Sequence, residues 1–109
     1  MTTAGVHTDE IQPGRLLIRL DGEIDLANAT TVEQQLSEVI TNRTRSVSID
    51  LSNLDYLDSA GLHVLFALVN RLELLQIAMD VVVSRSSPAR RAVELSGLGA
   101  VVAVRSEPR

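Results

Sequence analysis

The stretch Asp50–Leu65, DLSNLDYLDSAGLHVL, decides the fold. Just before and at its start, Val47, Ile49 and Leu51 alternate with polar residues, the period-two pattern of a half-buried strand. The polar run that follows predicts a turn leading to Asp58-Ser59-Ala60-Gly61. A long apolar helix is then predicted from Ala60 to about Leu75. Leu62, Leu65, Val69 and Leu72 make one stripe, and Val64, Phe66, Leu68 and Leu75 widen it. Ser59 therefore stands at the mouth of a helix. Backbone N–H groups point outward there and the dipole favours negative charge, so a phosphate suits that position.

Outward from this segment the chain alternates strands and helices. Thr2–Thr8 reads as a weak first strand and Asp9–Gly14 as a turn around Pro13-Gly14. Arg15–Asp21 (RLLIRLD) is a strand. A helix over Asn28–Thr41 places Val32, Leu36, Val39 and Ile40 on one face. Asn28 is one candidate cap; Thr30 with Glu33 forms a candidate capping box. Arg45–Leu51 is the strand already described, and Ala78–Val83 is another. Ser87 as N-cap and Pro88 at the first helical position open a third helix, which Gly97 stops. Ala100–Val104 (AVVAV) reads as a short, buried parallel strand. Such alternation implies an α/β fold with right-handed crossovers and a mostly parallel sheet, the first two strands forming an N-terminal hairpin.

The bulk numbers exclude several classes. At 109 residues the chain is a single domain, 1–109. Aromatic residues are 2% against 45% hydrophobic, so the core is aliphatic. No cysteine is present, which removes disulfides and thiolate metal sites. His7 and His63 lie far apart in sequence, so no metal and no cofactor is expected. A net charge of −4 argues against a nucleic-acid surface. Asn70, Arg71, Glu73 and Gln76 interrupt the apolar runs before membrane-spanning length, and the N-terminus lacks a signal-peptide pattern. A cytoplasmic protein without membrane contact is expected.

Asp50, Leu51, Ser52, Leu54, Tyr56, Leu57, Asp58, Ser59, Ala60 and Gly61 match the pattern D-L-S-x-[LV]-x-[FY]-[LMI]-D-S-[SAT]-G. Gly22-Glu23-Ile24-Asp25 matches G-E-[LI]-D, and Ser96-Gly97-Leu98 matches the S-G-L that ends a third helix. In these three motifs the chain resembles the STAS domains, in particular the stand-alone anti-sigma factor antagonists of bacteria, from about Arg15 to Val104. The resemblance implies a curved, mostly parallel sheet with helices mainly on one side. It also implies a further C-terminal helix, for which the five residues after Val104 leave no room.

For function, the resemblance implies a cycle. The unphosphorylated protein binds an anti-sigma factor, itself a serine kinase, and so frees a sigma factor. The kinase phosphorylates Ser59 and the complex separates; a metal-dependent serine phosphatase resets it. The protein is then a binder and a substrate, not an enzyme, and a monomer or weak dimer. Asp25, Asp58, Ser59, Gly61, Leu62, His63 and Phe66 are the implied partner-binding residues.

Each has a plainer reading. Ser59 fits an N-cap as well as a phosphoacceptor. Asp58 fits a turn-stabilising carboxylate or an acceptor that orients the Ser59 hydroxyl. Asp25 caps its loop or lies on the partner surface. Gly61 allows close approach of a neighbouring backbone. His63 reads as an exposed residue, and Leu62 and Phe66 as core or docking-patch edge. Arg90 and Arg91 read as a solvated face. Two rival functions remain at this point. One is a structural subunit of a transporter or stress-sensing assembly, in which the serine is not modified. The other is a small enzyme with Ser59 as nucleophile, for which the surrounding residues offer no G-x-S-x-G elbow and no oriented base.

Overall fold

Leu16, Ile18 and Leu20 are buried while Arg15, Leu17 and Arg19 between them are half-buried. Val47, Ile49 and Leu51 repeat the pattern. These two runs become the centre of a five-stranded sheet. In the computed structural model, which describes residues 2–107, the elements are β1 (Ala4–Gln12), β2 (Arg15–Ile24), α1 (Ala29–Val39), β3 (Ser46–Leu57), α2 (Ser59–Leu74), β4 (Ala78–Val82), α3 (Arg90–Ser96), a 3₁₀ turn (Leu98–Ala100) and β5 (Ala103–Arg105). The strand order is β1-β2-β3-β4-β5. Only the β1–β2 pair is antiparallel. Each crossover from β2 onward steps in the same direction. Right-handed connections then bring the helices to one face, where Leu36, Leu65, Leu72 and Val93 close over the buried strand residues.

Several elements differ from the sequence expectation. The first strand is longer and later than Thr2–Thr8: Asp9–Gln12 is strand, and only Pro13-Gly14 turns. β1 is an edge strand with little buried surface, so no hydrophobic alternation marks it; its pairing with β2, Asp9 opposite Leu17, defines it. The predicted polar turn after Leu51 is also strand. β3 continues to Leu57 because Leu54 and Leu57 still reach the core and Asn53–Leu57 pair with the end of β2.

α1 starts at Ala29 without a capping box. Asn28 occupies the cap position, but its side chain turns back, accepting from Asp25 N at 3.0 Å and donating to Glu23 O at 2.8 Å. α3 starts at Arg90 rather than Pro88. Ser87 Oγ still accepts from Ala89 N at 3.2 Å, so it caps the turn that leads into the helix. The last strand is Ala103–Arg105, parallel as expected but an edge, exposed or half-buried. The buried members of that apolar region are Leu98 and Val102, before the strand. Arg90 is not simply solvated: its Nη1 donates to Val83 O at 2.7 Å and tethers α3 to the end of β4. Of the five residues after Val104, Arg105 ends β5 and Ser106 and Glu107 form a bend; the last two lie outside the described residues.

Among the described residues, no helix is long and apolar enough to cross a membrane. No group of three or more His, Cys, Asp or Glu side chains there is placed to hold a metal ion.

Candidate functional site

The C-terminal ends of β2 and β3 lie side by side, Ile24 opposite Leu57. Gly22 makes this ending possible. Its φ is +82°, and a Cβ there would collide with Thr3 O, just before β1. The register slips between Gly22 and Glu23, which brings Ile24 into the core and sends Asp25 out into the loop. Asp25 then organises that loop. Its Oδ1 accepts from Ala27 N at 2.8 Å and its Oδ2 from Thr2 Oγ1 at 2.7 Å. Both carboxylate oxygens are thus engaged within the chain, the loop-capping reading of this residue.

Across from it, Asp58 leaves β3 in an extended conformation and α2 begins. Asp58, not Ser59, is the N-cap: its Oδ1 accepts from Ala60 N at 2.9 Å and from Gly61 N at 3.2 Å. The turn-stabilising reading of Asp58 is therefore the observed one. Ser59 sits at the first helical position, exposed, and its hydroxyl has no hydrogen bond to a described residue. This changes the electrostatics expected for a phosphate. The dipole favours negative charge at this end, but a carboxylate already occupies two of its free amides.

Gly61 faces inward. A Cβ there would run into Leu57 Cδ1 and come within 3.0 Å of Ile24 Cγ2. The close approach is to side chains, not to a neighbouring backbone, and Gly61 is buried. In a helix Gly→Ala ordinarily gains about 1 kcal/mol. Here overpacking costs about 1–3 kcal/mol, so Gly61→Ala should lower the midpoint of urea unfolding. An unchanged or raised midpoint would show that this contact is not tight.

His63 is exposed and makes no hydrogen bond to Ser59. Leu62 and Phe66 are half-buried and rest against the core with part of their surface outward. Ser59, His63, Phe66 and Asn70 follow the i, i+4, i+7, i+11 spacing of one helical stripe, with Leu62 at its edge.

Between the starts of α1 and α2 lies a hollow of about 520 Å³, whose lining includes Leu26, Thr30, Glu33, Asp58, Ser59 and His63. Two exposed residues of this region, one in the hollow and one on the strand that leads to it, escape the sequence reading. Leu26 is 83% exposed, a large apolar side chain offered to solvent beside Ser59. Tyr56, the only tyrosine, is 49% exposed two residues before Asp58. The available signals are an apolar residue inside the polar loop D-L-A-N and an aromatic in an aliphatic chain. Neither reveals exposure, because exposure here depends on how β2 and β3 end. Chemically, the site offers an unengaged hydroxyl, an apolar anchor and an acidic border, with no oriented base for the hydroxyl.

A mostly parallel sheet with one helical face and an exposed serine at the start of α2 defines a small α/β domain. The STAS domain family model matches residues 7–108, and the chain belongs to that family. It is 35% identical over 85 residues to the anti-sigma-F factor antagonist RsfB of Mycobacterium tuberculosis, covering 78% of this chain and 68% of RsfB. Its fold is similar to an anti-sigma factor antagonist from Mycobacterium paratuberculosis, with a TM-score of 0.83, 26% identity, and coverage of 96% and 87% of the two chains. The Bacillus cell fate determinant SpoIIAA in its phosphorylated form shares the fold at a TM-score of 0.68 and 21% identity, covering 94% of this chain and 93% of that one.

Proposed function

We propose that this protein is an anti-sigma factor antagonist, switched by phosphorylation of Ser59. The observation that carries the reading is the exposed, unengaged Ser59 hydroxyl at the first position of α2, next to Leu26, in a STAS domain. Relatives named as antagonists, and a fold relative described in a phosphorylated form, support it.

In this reading the unphosphorylated protein docks its Ser59 end onto an anti-sigma factor and frees a sigma factor. Leu62, His63 and Phe66 extend the contact along α2, while Asp25, Asp58 and Gly61 hold the surface in shape. The anti-sigma factor is also the kinase. The Ser59 oxygen attacks the γ-phosphorus of ATP, the bond to the ADP oxygen breaks, and the hydroxyl proton passes to a base on the kinase. A metal-dependent serine phosphatase hydrolyses the phosphate and returns the protein to its binding form. The domain supplies no catalytic group, acts in the cytoplasm, and touches neither nucleic acid nor membrane. No observation at the site favours a structural subunit over this switch.

Incubation with ATP and the anti-sigma factor kinase of the same organism should add one phosphate to the intact mass. Peptide mapping should place it on Ser59. Phosphate on another residue, or none, contradicts the proposal.

A further inference from the structure

The face of the sheet away from the helices carries a second polar site. Ser46 and Ser48 on β3 alternate with the buried Val47 and Ile49, so their side chains lie on the helix-free face. Asp80 on β4 pairs with Ser48 and with Ala103 of β5, and Arg15 on β2 pairs with Ser46. Together with Arg105 these residues line a cleft of about 420 Å³. Short side chains form its floor and two arginines its walls.

The hydrogen bonding of the cleft is incomplete among the described residues. Arg105 Nε donates to Asp80 Oδ2 at 3.1 Å, which fixes its guanidinium, and neither Nη is bonded to a described residue. Arg15 makes no ion pair with a described residue. The Ser46 and Ser48 hydroxyls likewise have no described partner. Asp80 Oδ1 is buried and accepts from no donor among the described residues. The cleft thus gathers two positive charges against one negative, in a chain whose net charge is −4. A guanidinium oriented through Nε, with both Nη groups free, is suited to a planar or tetrahedral oxyanion. Arg15 and Arg105 stand on strands separated by β3 and β4, so a ligand meeting both must carry anionic groups at two ends.

We propose that this cleft binds a small bis-anionic molecule, either a diphosphate or a di- or tricarboxylate, independently of the Ser59 surface. Arg15 and Arg105 hold the two anionic ends, Ser46 and Ser48 donate to the nearer oxygens, and Asp80 positions Arg105.

The test is a titration of the isotope-labelled full chain, followed by amide NMR at constant ionic strength. Pyrophosphate is one probe and citrate the other. At least one should shift the amides of Arg15, Ser46, Ser48, Asp80 and Arg105 saturably while the Ser59 amide stays in place. The probe that saturates assigns the ligand to phosphates or carboxylates. Arg15→Gln should weaken binding about tenfold or more, because a charge-assisted pair is lost. This variant leaves the Asp80–Arg105 pair intact, so a folding defect does not mimic the effect. Failure of both probes to saturate overturns the proposal. So does equal binding by Arg15→Gln, or shifts spread over every arginine.

Discussion

Ser59→Asp is expected to weaken binding to the anti-sigma factor at least about tenfold, while Ser59→Ala binds like the wild type and no longer responds to ATP. The reason is desolvation. Ser59 is exposed in the free protein and becomes part of a water-excluding contact under the proposed function. An unpaired charge in such a contact costs about 3–5 kcal/mol when fully buried. Each 1.4 kcal/mol is a factor of ten in affinity, so a tenfold loss requires only partial burial. Alanine removes a hydroxyl that makes no hydrogen bond to a described residue, and Asp58 rather than Ser59 caps α2. Ser59→Ala should therefore melt close to the wild type. Calorimetric titration of both variants checks the binding arm. Equal affinity for Ser59→Asp and wild type would remove charge as the basis of the switch.

The next largest effect is expected at Asp58. Asp58→Ala exposes the amides of Ala60 and Gly61 that Oδ1 now satisfies. Loss of an N-cap costs about 0.5–2 kcal/mol, and removing the carboxylate from the positive end of the dipole adds about 0.3–1 kcal/mol. For a domain of this size 1 kcal/mol corresponds to about 4–8 °C in melting temperature. A drop of roughly ten degrees is expected, with a cooperative transition retained. The same geometry sets up a conflict with phosphate. A second negative group at Ser59 competes with Asp58 for the same two amides and is repelled by its charge. Ser59→Asp should then cost more stability with Asp58 present than in the Asp58→Asn background, where the cap survives without its charge. A double-mutant cycle by thermal melting measures this coupling. Strict additivity would mean that the two groups do not share the amides.

How much of this was legible depends on which interactions define each element. β2 and the first half of β3 were legible because Leu16, Ile18, Leu20, Val47, Ile49 and Leu51 bury one face and leave the other half-exposed. β1 was displaced because an edge strand with exposed residues on both faces has no periodic signal. The end of β3 read as a turn because its polar residues are held by backbone pairing to β2, which no local pattern reports. At the site, the sequence places Ser59 at the start of the helix, where α2 begins, but does not reveal the division of labour between it and Asp58. Asp58 and Ser59 are both good capping residues. Only the extended backbone of Asp58 decides which of them caps. Leu26 and Tyr56 remained hidden because their exposure arises where two strands end together, a tertiary property.

The central claim is that one phosphate on Ser59 turns binding off while the domain stays folded. The direct measurement is titration calorimetry of the anti-sigma factor with the unphosphorylated protein and with protein phosphorylated at Ser59 by the kinase. Circular dichroism of both forms accompanies it. The account predicts the same folded spectrum for the two forms and an affinity at least about tenfold lower for the phosphorylated one. Equal affinities, or loss of binding only through unfolding, would contradict it.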